Sequence, residues 1–154
     1  MTSENNFLNA VENWAKYYFF QSLTNFFNYL KNSELSLLQA YALTYIYFKG
    51  PIKISELCEH MVVSPGAASQ MVDRLEKLEM VKRNPDPKDR RVRKVTVLKK
   101  GEEFMQENFR FSQSWLGEIP AQITPDEEAL VIAALSILIR GSGESYQPLF
   151  QEWG

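Results

Sequence analysis

The chain has 154 residues, of which 45% are hydrophobic and 13% aromatic, with 17 Lys and Arg against 19 Asp and Glu. This length predicts a single domain with a sizeable core, and the composition excludes an intrinsically disordered chain. No apolar run reaches the roughly 18 residues that span a bilayer, and the start "MTSENNFLNAVENWAKYYFF" lacks the pattern of a secretory signal. A single cysteine excludes an intramolecular disulfide. We therefore expect a cytoplasmic protein without membrane partners.

Two helices are predicted before residue 50, because residues 1–49 contain neither Gly nor Pro. Apolar residues recur at steps of three or four from about residue 5 to residue 31, which predicts the first helix. The second helix is expected to begin near Ser36, where Gln39 completes a capping box, and to stop at Gly50-Pro51. The first helix is unusually aromatic. We expect its Trp14, Tyr17 and Tyr18 to pack in a dimer core, and some of them to line an effector pocket.

A helix-turn-helix is predicted in the middle of the chain. The segment "ISELCEHM" places apolar residues on one face of a short helix, "VVS" is a tight connection, and "SPGAASQMVDRLEKLEM" begins a new helix. Ser64 is the expected N-cap and Pro65 the first helical residue. Two helices joined by about three residues are typical of this motif.

Projection of the second of these helices separates two faces. The apolar face collects Ala68, Met71, Val72, Leu75 and Leu78. The other face collects Gly66, Gln70, Asp73, Arg74 and Lys77, with Ala67 and Ser69 at its flanks. Its N-terminal end is small and polar, which lets a helix approach a DNA groove. Gln70 is suited there to a base edge, and Arg74, further along the helix, to a phosphate. We expect an ion pair for Asp73, because it would repel phosphate.

A basic hairpin is predicted directly after the helix-turn-helix. "MVKRN" and "RKVTVL" have strand composition, and "PDPKD" between them favours a turn. Nine of the chain's basic residues fall between Lys82 and Lys100, against two acids. A helix-turn-helix followed by such a hairpin is a winged helix, a mainly α fold with a small β-hairpin wing. The charge then lies where the wing can meet a polyanion, although a basic edge strand can also be a merely solvated one.

These residues resemble the DNA-binding core of the MarR family (multiple antibiotic resistance regulators) over about residues 35–101. The specific part of the resemblance is Asp89-Arg90-Arg91 after Asp86-Pro87, followed by a strand and "LKKG". Lys99 stands in place of the usual Thr, which removes a helix cap near residue 99. The segment "LSLLQAYAL" is similar to the family's second helix.

The resemblance implies a homodimeric repressor or activator of transcription whose terminal helices form the dimer interface. It implies that Asp89 orients the wing through an ion pair and that Arg91 reaches the minor groove. We therefore expect a winged-helix core at 34–100, dimerisation helices at 5–31 and 100–140, and a tail at 141–154. With the helix analysis, the expected DNA-binding residues are Ser64, Gly66, Ala67, Ser69, Gln70, Arg74, Lys88, Arg90, Arg91 and Arg93.

The C-terminal part predicts two further helices. "GEEFMQENFRFSQSWL" carries an aromatic stripe that ends at Trp115, and "TPDEEALVIAALSILIRG" begins with Thr124 as N-cap and Glu127 completing a capping box. We expect the second of these helices to end at Gly141. It is apolar on nearly all faces, so we expect a partner subunit to cover it.

Other classes of function are less well supported by the sequence. There is no Gly-rich phosphate loop or nucleophile elbow, and His60 is the only histidine, so we expect no enzyme. Cys58 and His60 are two residues apart, which on one helix points them about 200° apart, so we expect neither a metal site nor a cofactor. The expected effector is a small aromatic acid or phenol. The alternative function is a winged-helix module that binds protein, and the charge of the wing favours DNA over it.

Overall fold

The computed structural model describes residues 3–86 and 92–141, with side chains from residue 6 onward. The chain divides after Gln113 into two compact units. The first unit contains α1 (Ser3–Lys31), α2 (Leu37–Lys49), β1 (Ile52–Lys53), α3 (Ile54–Met61), α4 (Pro65–Lys77), β2 (Val81–Pro85), β3 (Arg93–Val97) and α5 (Lys99–Ser112). The second contains two short 3-10 turns, Ser114–Glu118 and Pro120–Gln122, and α6 (Pro125–Gly141).

The hydrophobic core lies within the first unit, where α2, α3 and α4 pack against one another and against the strands. Its largest fully buried side chains come from each of these elements: Leu43, Ile46, Leu57, Val72, Leu75, Val81 and Val95. The helix-turn-helix of α3 and α4 and the hairpin of β2 and β3 share this core. The winged helix-turn-helix that the sequence predicts is confirmed.

The wing hairpin is part of a three-stranded antiparallel sheet with the order β1-β3-β2. Val81 pairs with Val97 and Arg83 with Val95 in the hairpin, while Ile52 pairs with Val95 on the other side of β3. The sequence did not predict β1, because two residues are too few to show a periodicity. β1 directly precedes α3 and pairs with β3, the central strand of the sheet, so it links the start of α3 to the wing hairpin.

Helix caps largely follow the sequence. Ser36 and Gln39 form the expected capping box of α2, and Thr124 and Glu127 form that of α6. Hydrogen bonds from the Thr124 backbone N–H and then from its hydroxyl lower the pKa of the Glu127 carboxyl. The helix α6 extends to Gly141, the last residue described.

One expectation about α5 is met and one needs correction. The helix begins at Lys99 and its N-cap Leu98 makes no side-chain cap, so the cap expected to be missing near residue 99 is missing. It ends at Ser112 instead of Leu116, so Trp115 lies in the following 3-10 turn and not on the stripe of α5. Gly101 is required near the start of this helix, because a Cβ there would lie 2.3 Å from the Met80 carbonyl oxygen.

The helices α3 and α4 are each followed within two residues by a left-handed residue that is not glycine. Val62 has φ 54° and Glu79 has φ 61°. A side chain in this region is crowded against its own backbone, and a β-branched one more so. Both turns therefore carry local strain on either side of α4.

Exposed large apolar side chains are most numerous on two helices. In the first unit they lie on α1, where Phe7, Phe19 and Phe20 are each more than half exposed. In the second unit they lie on α6, where Leu130 is 70% exposed and Ile132 58%. No helix of the described residues is long and apolar enough to cross a membrane.

Candidate nucleic-acid interface

The helix α4 presents a small polar surface at its N-terminal end. The Ser64 hydroxyl caps the helix by accepting a hydrogen bond from the Ala67 backbone N–H at 3.2 Å. Gly66 and Gln70 are exposed, and Ala67 and Ser69 are half-buried at the flanks. The opposite face of the helix is buried, as the projection predicted, through Ala68, Met71, Val72 and Leu75.

Arg74 lies further along α4 and already has a partner within the chain. Its Nη2 donates to Glu34 Oε2 at 3.2 Å, and the side chains of Arg74 and Glu34 are 42% and 73% exposed. An ion pair this exposed contributes little to stability. Arg74 can therefore exchange Glu34 for a phosphate at small cost.

Arg83 ties the wing strand β2 to α4, and we call its contacts with α4 the Arg83 clamp. Its Nη2 lies 2.6 Å from Asp73 Oδ1, its Nη1 donates to Glu76 Oε2, and Nη2 also donates to the Ser69 carbonyl at 3.3 Å. The Arg83 backbone N–H donates to Glu76 Oε1 at 2.9 Å. The Arg83 side chain is only 13% exposed. The clamp thus neutralises two carboxylates of α4 and fixes the helix against the hairpin.

Only half of this arrangement was predictable from the sequence. It predicted an ion pair for Asp73, but it counted Arg83 among the cations of the wing. The partners are ten and seven residues apart, in a helix and a strand, so no helical or strand period brings them together. The structure places Arg83 among the side chains that hold the site and not on its surface.

The base of the wing is held by two further side-chain contacts. Lys94 Nζ lies 3.0 Å from Asp86 Oδ2, and Asn84 Nδ2 donates to Thr96 Oγ1 at 2.8 Å. Lys82 and Arg93 are exposed, and neither forms an ion pair with any residue that the structure describes. These two cations are thus available to a polyanion at the described part of the hairpin.

Several residues of the predicted basic segment fall elsewhere. Lys99 and Lys100 belong to the first turn of α5 and not to the wing, and Lys99 lies 3.6 Å from Glu103. The wing residues predicted to meet DNA at the hairpin tip, together with the wing-orienting Asp89, lie outside the described residues: Lys88, Asp89, Arg90 and Arg91. Their roles stay predictions.

A cleft of about 260 Å³ lies between α1, α2 and α5 in the first unit. Its lining is mainly aromatic and aliphatic, and it includes Tyr18 but neither Trp14 nor Tyr17. Trp14 lies about one turn before Tyr18 on α1 and Tyr17 lies one residue before it, and the Trp14 and Tyr17 ring centroids are 6.3 Å apart. Of the three residues predicted for an effector pocket, the described cleft therefore contains Tyr18.

The α1 helix is tied to α5 by hydrogen bonds near this cleft. Gln113 Nε2 donates to the Tyr18 hydroxyl at 3.0 Å, and the Tyr29 hydroxyl donates to Glu107 Oε2 at 3.0 Å. Burial, followed by the hydrogen bond and charge of Glu107, raises the pKa of Tyr29 to about 12. These contacts fix α1 against the winged core along the length of α5.

Cys58 and His60 are placed as structural residues. Cys58 is half-buried and packs against the core. The exposed His60 ring stacks on Tyr45 with centroids 3.7 Å apart, and its Nε2 lies 2.7 Å from the Tyr41 hydroxyl. Within the described ranges, no three His, Cys, Asp or Glu side chains come together in a way that could hold a metal ion.

Comparisons with known proteins agree with this geometry. The model of the MarR family matches residues 35–92. The chain is 30% identical over 118 residues to "Uncharacterized HTH-type transcriptional regulator YsmB" of Bacillus subtilis, a match covering 71% of this chain and 81% of that protein. It is 28% identical over 107 residues to "HTH-type transcriptional repressor MdtR" of the same organism, covering 70% and 68%. Among solved structures, transcriptional regulator Tm0710 from Thermotoga maritima superposes with a TM-score of 0.75 at 24% identity, covering 84% of this chain and 92% of that one.

Proposed function

Because the chain belongs to the MarR family of DNA-binding transcriptional regulators, we propose that it is a homodimeric repressor, released from a pseudo-palindromic operator by a small organic molecule. The main structural support for the proposed DNA-binding surface is the Arg83 clamp. It holds the exposed face of α4 and the basic hairpin together as one unit. A recognition helix and a wing that are held together can enter adjacent grooves in a fixed register.

We assign the residues of this surface three roles. The N-terminal face of α4 enters the major groove, with Gln70 reading a base edge and Ser64, Gly66, Ala67 and Ser69 allowing close approach. Phosphates are contacted by Arg74 on α4 and by Lys88, Arg90 and Arg93 in the wing. Arg91 enters the minor groove, where a guanidinium is favoured by the strong negative potential, and Asp89 orients it.

The proposal of a homodimer rests on the apolar surface of the two terminal regions. The exposed aromatic side chains of α1 and the exposed aliphatic side chains of α6 exceed what a monomer ordinarily leaves in water. Regulators of this family are dimeric. We therefore assign residues 5–31 and 100–140 to dimerisation and 34–100 to the winged-helix core. Two recognition helices would then address half-sites about 34–36 Å apart.

The cleft between α1, α2 and α5 supports the proposed control by a small molecule. One wall belongs to α1, which we assign to the dimer interface, and another to α2, which packs on α4. A ligand that fits the cleft only at one separation of these helices would favour one spacing of the two recognition helices. It would thereby shift the population that can bind DNA. The repressor role is supported by the printed name of MdtR.

Selection of bound sequences from a random duplex library tests the proposal directly. We expect a pseudo-palindrome with half-sites one DNA turn apart, and an affinity that falls steeply with salt. Arg91→Ala should weaken binding to the selected site strongly, and Asp89→Ala should weaken it too, although it removes a negative charge. If the library yields no enriched site, the chain is instead a winged-helix module that binds protein. Tighter binding by Asp89→Ala at every salt concentration would exclude the wing-orienting role.

Light scattering tests the dimer. At micromolar concentration we expect twice the mass of one chain, which is 17.9 kDa. A stable, folded monomer would contradict the assignment of the terminal helices. Release by a ligand is tested separately, by adding candidate effectors to the protein bound to its selected site.

A further inference from the structure

The cleft between α1, α2 and α5 has walls without charge. Its apolar surface comes from Phe19, Leu23 and Phe26 of α1 and from Met105 and Phe109 of α5. None of the described residues that line it is Asp, Glu, Lys, Arg or His. A carboxylate that entered this cleft would lose part of its hydration without gaining a cation, and an ammonium would lose hydration without gaining a carboxylate. The walls therefore favour a ligand that is itself uncharged.

One polar side chain of the cleft has an unused hydrogen-bonding group. Asn108 is only 3% exposed, and its Oδ1 accepts a hydrogen bond from the Ser112 hydroxyl at 3.2 Å. No hydrogen bond among the described residues uses its Nδ2. Thr44, by contrast, is satisfied, because its hydroxyl donates to the Ala40 carbonyl at 2.8 Å.

The Asn108 Nδ2 must face the open space of the cleft. Every fully buried side-chain nitrogen and oxygen of the described residues has a hydrogen-bond partner. An amide nitrogen without a partner in a residue this buried must therefore touch accessible space, and Asn108 lines the cleft. Buried amide donors are almost always satisfied by protein, water or ligand. The geometry thus provides an uncharged N–H donor at the side of a mainly apolar cleft.

We propose that the cleft binds an uncharged aromatic molecule of one or two rings, whose hydrogen-bond acceptor takes an N–H of Asn108. This inference rests on the proposed control by a small organic effector, and it narrows the ligand class from aromatic acids and phenols to neutral acceptors. The cleft volume of about 260 Å³ lies just below the usual range for ligand sites, which limits the ligand to one or two rings. Asn108 is the residue that sets specificity, and the Ser112 hydroxyl holds its amide in place.

Three naphthalenes of equal size and different charge test the proposal on the full chain. By titration calorimetry at pH 7, we expect 2-naphthamide to bind at least tenfold more tightly than 2-naphthoate or the cationic 2-naphthamidine. If 2-naphthoate or 2-naphthamidine binds as tightly as the amide, the argument from charge is wrong. If none of the three binds, the cleft is not a ligand site of this class.

Two substitutions at Asn108 test the anchor. Asn108→Leu keeps a similar shape without the donor, so the affinity for 2-naphthamide should fall about fivefold, while that for 2-methylnaphthalene stays within twofold. Thr44→Val removes a cleft hydroxyl that already donates to the Ala40 carbonyl and leaves Asn108 and Ser112 intact, so it is the matched control and should keep most of the amide affinity. Asn108→Asp is a second variant that tests the anchor even if Asn108→Leu does not fold. It should shift the preference among the three ligands toward 2-naphthamidine. An unchanged order of the three ligands in Asn108→Asp would overturn the role of this residue.

A second readout separates this inference from the proposed function. The same ligands are added to the protein bound to its selected operator, and DNA release is followed by fluorescence anisotropy. Binding of the amide without release of DNA would refute control by this cleft and leave its selectivity standing. Release by 2-naphthoate at concentrations where 2-naphthamide has no effect would refute the neutral ligand and leave effector control standing.

Discussion

Replacing Arg83 by Met should separate the wing from the recognition helix. The substitution keeps an unbranched apolar stem and removes the guanidinium, which is 13% exposed and contacts Asp73, Glu76 and the Ser69 carbonyl. Removing one partner of a fully buried ion pair costs about 3–5 kcal/mol. Here the Asp73 and Glu76 side chains are 51% and 38% exposed, so water can solvate them again. We therefore expect a loss of about 2 kcal/mol in the free energy of unfolding.

The same substitution should weaken DNA binding by roughly tenfold, because it leaves two carboxylates unneutralised on α4 and loosens the wing. The dependence of the affinity on salt should stay almost unchanged, since a clamped Arg83 releases no counterions from DNA. The matched control is Lys82→Met, which removes the same charge from the adjacent, exposed residue. It should change stability by less than about 0.5 kcal/mol.

Urea unfolding and binding curves at several salt concentrations check both expectations. A double-mutant cycle of Arg83→Met with Asp73→Asn should give a coupling free energy of at least about 0.5 kcal/mol. If Arg83→Met instead unfolds like wild type and lowers the slope of log affinity against log salt by about 0.9, then Arg83 is a phosphate contact and the clamp is unimportant.

Three further outcomes are expected. Gln70→Ala should change the preference among operator variants measured on a panel of mutated sites, and an equal loss on every site would remove Gln70 from base readout. Glu79→Gly should raise the free energy of unfolding by about 0.5–1 kcal/mol, because φ 61° strains a side chain. The control is Glu79→Ala, which should gain no stability. A lower urea midpoint for Glu79→Gly than for wild type would contradict this prediction. Raising the pKa of Tyr29 from 10.0 to about 12 makes the folded state hold its proton more firmly than the unfolded state. The stability that this shift provides is complete below pH 10 and is lost between pH 10 and pH 12. The free energy of unfolding of Tyr29→Phe should therefore fall less than that of wild type over that interval. Equal falls in the two proteins would exclude the effect.

The sequence predicted those parts of the fold that local chemistry determines. Ser64 and Pro65 mark the start of α4, and the buried face follows because a helix of 13 residues has a clear period. The capping boxes at Ser36 and Thr124 were equally readable.

What the sequence could not give depends on contacts between distant segments. The strand β1 exists because β3 pairs with it, and two residues have no pattern of their own. The end of α5 at Ser112 was missed because residues 113–116 also suit a helix, and only the structure turns them into a 3-10 segment. The choice of Tyr18 over Trp14 for the cleft depends on where α1 meets α5, which no period of α1 reveals.

The pairing of β1 with β3 has a consequence for the order of folding. Ile52 and Val95 stand on opposite sides of the helix-turn-helix in the chain, so their hydrogen bonds close a long loop that contains α3, α4 and β2. Closing this loop costs conformational entropy, and the contacts of the enclosed segments offset that cost only when those segments are folded. This favours the formation of the enclosed segments in one cooperative step. We expect amide hydrogen exchange in β1, α4 and β3 to report a common opening free energy, distinct from that of α6. Local opening of α6 would then leave β1, α4 and β3 folded.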